Sequence, residues 1–190
     1  DIIQNEPLLF GRILDTIIGH PQEALFKYAL LATLPYPLFE KVFVVGMTNS
    51  YKQHNITLFD VWKLIRMISH NFEFASSNLL HWDSITIKDQ KLHINHPCHW
   101  PSIRCGIHSG TALNIKSNPI NWEHIPSFLS RIKVNITSNA FETIDLSHFD
   151  TSSKIKLLSI YSTNGTIQFG DVRLPETLQQ ITIESSKGFI

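Results

Sequence analysis

The 190-residue chain has no excess of charge of either sign: 16 Lys and Arg stand against 16 Asp and Glu. That balance writes in no broad attraction to nucleic acid or to an anionic membrane surface, so neither is expected as a partner. Long hydrophobic runs are also missing. The most apolar stretch, "EALFKYALLATLPYPLFEKVFVVGM" at 23–47, is interrupted by Lys27, Pro35, Pro37, Glu40 and Lys41, whereas a spanning helix needs about 20 continuous apolar residues. No membrane span is expected. The sequence opens at Asp1 with neither Met nor a charged-then-apolar leader, which reads as an export signal that is absent or already removed. Catalytic signatures are missing too: there is no G-x-S-x-G elbow, phosphate loop, H-E-x-x-H, dinucleotide fingerprint or C-x-x-C. No enzyme is expected, no catalytic residue is assigned and no cofactor is implied. Cysteine is scarce, its two residues both lying in "HPCHWPSIRC" at 96–105.

What is present is enough for a core. A content of 43% hydrophobic and 11% aromatic residues suits one ordinary domain, or one domain with an appendage. Residues 1 to about 80 have helical spacing. In "TLFDVWKLIRMISHNF", Thr57 and Asp60 form a cap-like pair, and Leu58, Val61, Trp62, Ile65 and Ile68 then recur at helical intervals. "PLLFGRILDTIIGH" (7–20) and "PQEALFKYALLATLP" (21–35), bounded by Pro and Gly, read as two further helices. From residue 84 the texture changes to short β-branched runs separated by Ser, Asn, Gly and Pro.

The second half repeats. "GTALNIKSNPI" places Leu113, Ile115, Asn118 and Ile120 in an L-x-L-x-x-N-x-L arrangement, and "RIKVNITSNAF" repeats it 21 residues later with Val134, Ile136, Asn139 and Phe141. Leu158 and Ile160 follow after 24 residues, then Ile181 and Ile183 after 23, with Thr163 and Ser186 in the Asn position. These offsets fall in the window of roughly 20 to 29 residues of leucine-rich repeats. Each unit of such a stack has an apolar edge that only its neighbours can bury, and the polar turn residue serves backbone groups left unpaired by the bend. A frame displaced by two residues also exists, since "IPSFLSRIKV" (125–134) matches "LPETLQQITI" (174–183). An antiparallel β-sandwich with coincidental spacing is the competing architecture. Four copies at a narrow period favour the repeat.

The order "LLHW" (79–82), then "CHWPSIRC" (98–105), then "ALNIKSN" resembles the N-terminal cap of leucine-rich-repeat ectodomains. The similarity is to plant receptor-like proteins and polygalacturonase inhibitors, and to repeat surface proteins of protists, and it covers about residues 57–190. It implies a disulfide between Cys98 and Cys105, Trp100 packed under the first coil, and an extracellular solenoid that binds other molecules. Ser102 in place of the usual Gly, the insertion-like "ITIKDQKLHINH" (85–96) and the helical extension before residue 50 depart from that pattern. Such a bond would also remove unfolded-state entropy worth about 2–3 kcal/mol and would imply an oxidising compartment. The open alternative is a metal site using His93, His96, Cys98 and His99, with Cys105 and His81 nearby. Its spacing differs from the paired C-x(2–4)-C of zinc sites.

The expected architecture is therefore an α/β solenoid: a helical extension at 1–56, a disulfide-stapled N-terminal cap at 57–109, and about four short, irregular leucine-rich repeats with a parallel β-sheet at 110–190. Sequons at Asn55, Asn135 and Asn164 are candidate glycosylation sites. Strand alternation exposes Asn114, Lys116, Lys133, Asn135, Ser159, Tyr161, Gln180, Thr182 and Glu184 on one face. Among these, Lys116, Lys133, Ser159, Tyr161, Gln180 and Glu184 are the candidate contacts for a protein or glycan, with Tyr161 the anchor. Asp145, His148 and Asp150 in "DLSHFD" lack an attached nucleophile and read as a turn. The ending "KGFI" looks like the start of another coil, for which either further chain or a neighbouring subunit would supply cover. The functional expectation is an extracellular or cell-surface binding module; a structural subunit of a surface polymer ranks second, and a zinc-binding hydrolase last.

Overall fold

The computed structural model describes residue 12 and residues 33–68, 85–89, 91–116, 119–137 and 142–187. The helical readings over 7–20 and 21–35 fall almost wholly outside these residues, as do His81, Asn118, Asn139 and Phe141.

Helix α1 (Tyr36–Val42) begins where Pro35 and Pro37 fix the backbone, which the first turn tolerates because its N–H groups lack helical partners. It buries Phe39 and Val42 and runs straight into strand β1 (Phe43–Val45). A 3-10 turn at Asn49–Tyr51 follows, then α2 (Leu58–Ile68). Thr57 starts α2: its hydroxyl oxygen accepts the Asp60 N–H at 3.2 Å, and its own hydroxyl donates to Asp60 Oδ2 at 2.8 Å. Strands β2 (Ile85–Lys88) and β3 (Lys91–Ile94) form an antiparallel hairpin whose turn holds Asp89 at φ 52°, a conformation Asp tolerates better than most residues. β1 adds to β3 in parallel. The insertion-like segment thus shares a sheet with residues upstream of position 56, and Phe39, Phe43, Leu92 and Ile94 join the same core as Leu113 and Leu158.

The main sheet has the order β10-β8-β6-β5-β4, from strands β4 (Ile103–Gly106), β5 (Gly110–Ile115), β6 (Leu129–Ile136), β8 (Leu157–Ser162) and β10 (Gln180–Ser185). β4 and β5 are an antiparallel hairpin; β5, β6, β8 and β10 are parallel. An antiparallel sandwich does not describe them. Period-two alternation turns one set of side chains inward, and these align in rungs: Leu113, Ile132, Leu158 and Ile181, then Ile115, Val134, Ile160 and Ile183. The first three residues of each rung are buried, whereas Ile181 is 40% exposed, β10 having a neighbour on one side only among the described residues. On the return path, β7 (Thr143–Asp145) pairs in parallel with β9 (Thr166–Gln168), burying Ile144 and Ile167, and Trp122 stacks on Phe149 at 5.4 Å.

The pairing follows the frame displaced by two residues. Leu113 faces Ile132 rather than Val134, and Ser130 is a one-residue bulge at the start of this pairing: Thr111 pairs with Leu129, but Ala112 with Arg131. Gly110 makes room for this bulge at φ +75°, where a Cβ would meet Ser130 Oγ at 2.1 Å. The same frame matches two turns, since the Pro126 carbonyl accepts the Leu129 N–H and the Pro175 carbonyl accepts the Leu178 N–H. Thr163 and Ser186, at the expected turn positions, serve backbone. The Thr163 hydroxyl donates to Ile136 O at 3.5 Å, and the Ser186 hydroxyl donates to Thr163 O.

Asp60 ties the helical part to the sheet. It is 5% exposed, and its Oδ1 accepts both the Ser127 N–H at 3.1 Å and the Ser127 hydroxyl at 2.7 Å, just before β6. A buried carboxylate is tolerated when donors surround it, and its removal strands those donors. Asp60→Ala is expected to lower unfolding free energy by about 2–4 kcal/mol, with Asp60→Asn losing less; denaturant unfolding measures both, and equal stability of parent and Asp60→Ala would contradict the latch.

Candidate functional site

Two places bring functional side chains together. The first surrounds the bond between Cys98 and Cys105, which joins the 3-10 turn Pro97–His99 to β4 across a sequence separation of 7. Buried His96 fastens this turn from inside. Its Nδ1 accepts the Cys98 N–H at 3.2 Å, so Nε2 carries the ring proton and donates to His54 O, also at 3.2 Å. Tyr51 stacks on the His96 ring at 5.2 Å and meets His99 edge-on at 4.6 Å. Trp100, 3% exposed, donates its indole N–H to Asn95 O at 3.1 Å.

The ligand set considered from sequence is rearranged here. His54 joins Cys98 and Cys105, their potential ligand atoms all lying within 4.8 Å of one another. The two sulfurs are bonded to each other, so neither is the thiolate that zinc chemistry uses. Both ring nitrogens of His96 have protein partners, and His93 is half-buried on β3.

The second place is the outer face of the main sheet. Asn114, Lys133, Ser159 and Thr182 form one outward rung; Asn135, Tyr161 and Glu184 form the next. Lys116 is exposed one residue beyond the last paired position of β5. Lys133 Nζ sits 5.8 Å from the Tyr161 ring centroid, within reach of a cation–π interaction. Tyr161, half-buried, lines a shallow cleft of about 470 Å³ with Glu184, Ser185 and Ser186. Gln180 belongs to an earlier rung with Ala112, Arg131 and Leu157.

Five of the six candidate contacts therefore lie on strands of one face. Sequence reading missed Arg104 and Arg131, which flank Ala112 in register, and Lys156 at the entry to β8. The signal was available in the alternation of "SIRCG" and "LSRIKV". Among the sequons, Asn135 lies on this outer face, Asn55 is exposed before α2, and Asn164 follows β8.

The acidic turn does not assemble as one unit. Asp145 Oδ1 accepts the Ser147 N–H at 2.9 Å, and bonds to Ser147 hold its carboxyl below the usual range. His148 is exposed, 3.7 Å from Glu123 Oε1, while Asp150 takes Lys63 at 3.4 Å and the Ser152 hydroxyl at 2.6 Å. Compared with family models, curated proteins and solved structures, the chain matches none.

The His96 geometry makes stability depend on pH. Burial, the largest influence, disfavours the imidazolium, and the bond to His54 O offsets it in part, leaving the His96 pKa below the ordinary 6.5. The unfolded chain then takes up this proton at a higher pH than the folded chain. The stabilisation is complete above pH about 6.5 and drains away as pH falls through the interval below it. His124 is lowered in the same direction, chiefly by burial and then by Arg66. Melting midpoints are expected to fall between pH 7.5 and 5.5, with a smaller fall in His96→Gln; an identical fall in both proteins would contradict the assignment to His96.

Proposed function

We propose that this chain is a secreted or cell-surface binding module of the leucine-rich-repeat kind, with a disulfide-stapled cap and a protein or glycan ligand held on the outer face of the main sheet. The observation that carries this reading is the in-register parallel ladder. Aliphatic side chains predominate on one side of it, and polar side chains with one aromatic ring predominate on the other. The bond between Cys98 and Cys105 supports the oxidising compartment. Lys116, Lys133, Ser159, Tyr161, Gln180 and Glu184 make the contacts, and Asn55 and Asn164 are the sequons whose glycans would leave the sheet free. A glycan on Asn135 would cover it.

A second reading, assembly into an extracellular polymer, is favoured by β10. Among the described residues this edge strand has a partner on one side only, and Ile181 within it and Leu174 ahead of it in the chain are 40% and 38% exposed. Such an edge accepts a further strand.

Both readings meet in one experiment on native material. Non-reducing peptide mapping should recover a peptide joining Cys98 to Cys105 and hexosamine on Asn55 or Asn164; free thiols with all three sequons bare would overturn the extracellular reading. Glycan and protein arrays probed with the parent and with Tyr161→Ala should show a ligand whose binding falls about tenfold or more in the variant, as for an interface anchor. Unchanged binding would remove the sheet face from the account.

A further inference from the structure

We infer that the outer sheet face carries an oxyanion site around Arg131, and that its ligand is an anionic polysaccharide bearing sulfate or carboxylate groups. This rests on the reading that the face is a binding surface.

The chain as a whole is neutral, with 16 positive and 16 negative side chains. The face is not. Alternation turns Arg104, Arg131 and Lys133 outward, Lys116 and Lys156 flank them, and Glu184 is the one acid among the outward strand residues. Arg104 and Arg131 pair with Ala112 from opposite sides, which sets them two strand spacings, about 10 Å, apart with only a methyl group between. A separation of that size fits successive charges along a chain polymer.

Arg131 itself asks for a partner. Its Nε is buried with no hydrogen-bond acceptor among the described residues, a condition that costs free energy; the outer nitrogens of the guanidinium are the ones a bound anionic oxygen would meet. Arg131, Lys156 and His108 line one hollow of about 420 Å³, with the Ser109 and Ser130 hydroxyls beside them. The β6 bulge builds this hollow, because Ser130 is the residue it inserts, and Gly110, with no Cβ, keeps Ser130 unobstructed.

The rest of the face selects among polyanions. Its neutral groups are mostly hydroxyls and amides, at Asn114, Asn135, Ser159, Thr182 and Gln180, which suit sugar hydroxyls. Tyr161 is its lone aromatic, whereas single-stranded nucleic acid needs a series of stacking platforms. Ala112 and Leu157 are its outward apolar strand residues apart from glycine, too few to anchor an acidic peptide through buried apolar contacts.

The test uses the disulfide-intact full chain, a size-defined heparin oligosaccharide and its desulfated counterpart, with binding measured by calorimetry at two salt concentrations. The sulfated form should bind, more weakly at high salt, and the desulfated form should bind at least tenfold more weakly. Arg131→Gln should weaken sulfated binding about tenfold or more. The same change at exposed Lys88 in the small sheet should leave it unaltered. Arg104→Gln, at an exposed position, repeats the test should Arg131→Gln fail to fold. Equal affinity for both oligosaccharides, equal weakening by Lys88→Gln, or displacement by DNA at lower concentration than by heparin would each overturn the inference. Loss of binding in Tyr161→Ala under any of these outcomes leaves the face as the binding surface; no change in either Tyr161→Ala or Arg131→Gln removes the face itself.

Discussion

Burial of two aliphatic rungs is the constraint on which the sheet depends. Leu113, Ile132 and Leu158 in one rung, and Ile115, Val134 and Ile160 in the other, come from strands that local chain geometry cannot bring together. Parallel neighbours need a crossover: the β6-to-β8 connection includes β7 and the β8-to-β10 connection includes β9, whereas β5 reaches β6 through a segment with no strand among its described residues. Each buried aliphatic contributes about 1.5–3 kcal/mol, but a residue gains it only if the strands before and after are in register. Where the ladder ends, at β10, the rung opens and Ile181 meets solvent.

The other end of the ladder is closed by several weaker devices acting together. β4 turns back on β5 as a hairpin, the disulfide fixes β4 to the turn before it, and His96 holds that turn to residue 54. Trp100 fills the space beneath, and Asp60 fastens α2 to the segment entering β6. These contacts put the outer face on a rigid support. Because alternation is strict in β6 from Arg131 onward, filling the core with Ile132, Val134 and Ile136 also sends Arg131, Lys133 and Asn135 to the opposite side. Charge segregation in a neutral chain is thus a by-product of strand periodicity.

Strand periodicity also explains what could be read from the sequence. The aliphatic pairs at 113/115, 158/160 and 181/183 were legible because each alternates between polar neighbours, and Thr57 with Asp60 was legible as a cap because its chemistry is local. The pairing of β6 was not fixed by its pattern, since Ile132/Val134 and Val134/Ile136 both satisfy period two. A shift of two residues keeps every side chain on its face and changes only its neighbours. Lys133 and Tyr161 therefore face outward in either frame, while the Arg104–Ala112–Arg131 rung depends on the register beyond the Ser130 bulge, which no local pattern announces. The small sheet was illegible for another reason: β1 and β3 are far apart in sequence, and "ITIKDQKLHINH" read as an insertion carries no sign of its partner. Buried Asp60 was read as a cap alone, because nothing local to it announces Ser127.

The most direct test is the neighbour relation across β5, β6 and β8 in solution, read from backbone proton contacts by nuclear magnetic resonance. The account predicts cross-strand contacts joining Asn114 to Lys133 and Lys133 to Ser159, with the pattern of parallel strands. Contacts joining Asn114 to Asn135, or the close α-proton pairs of antiparallel strands, would contradict it.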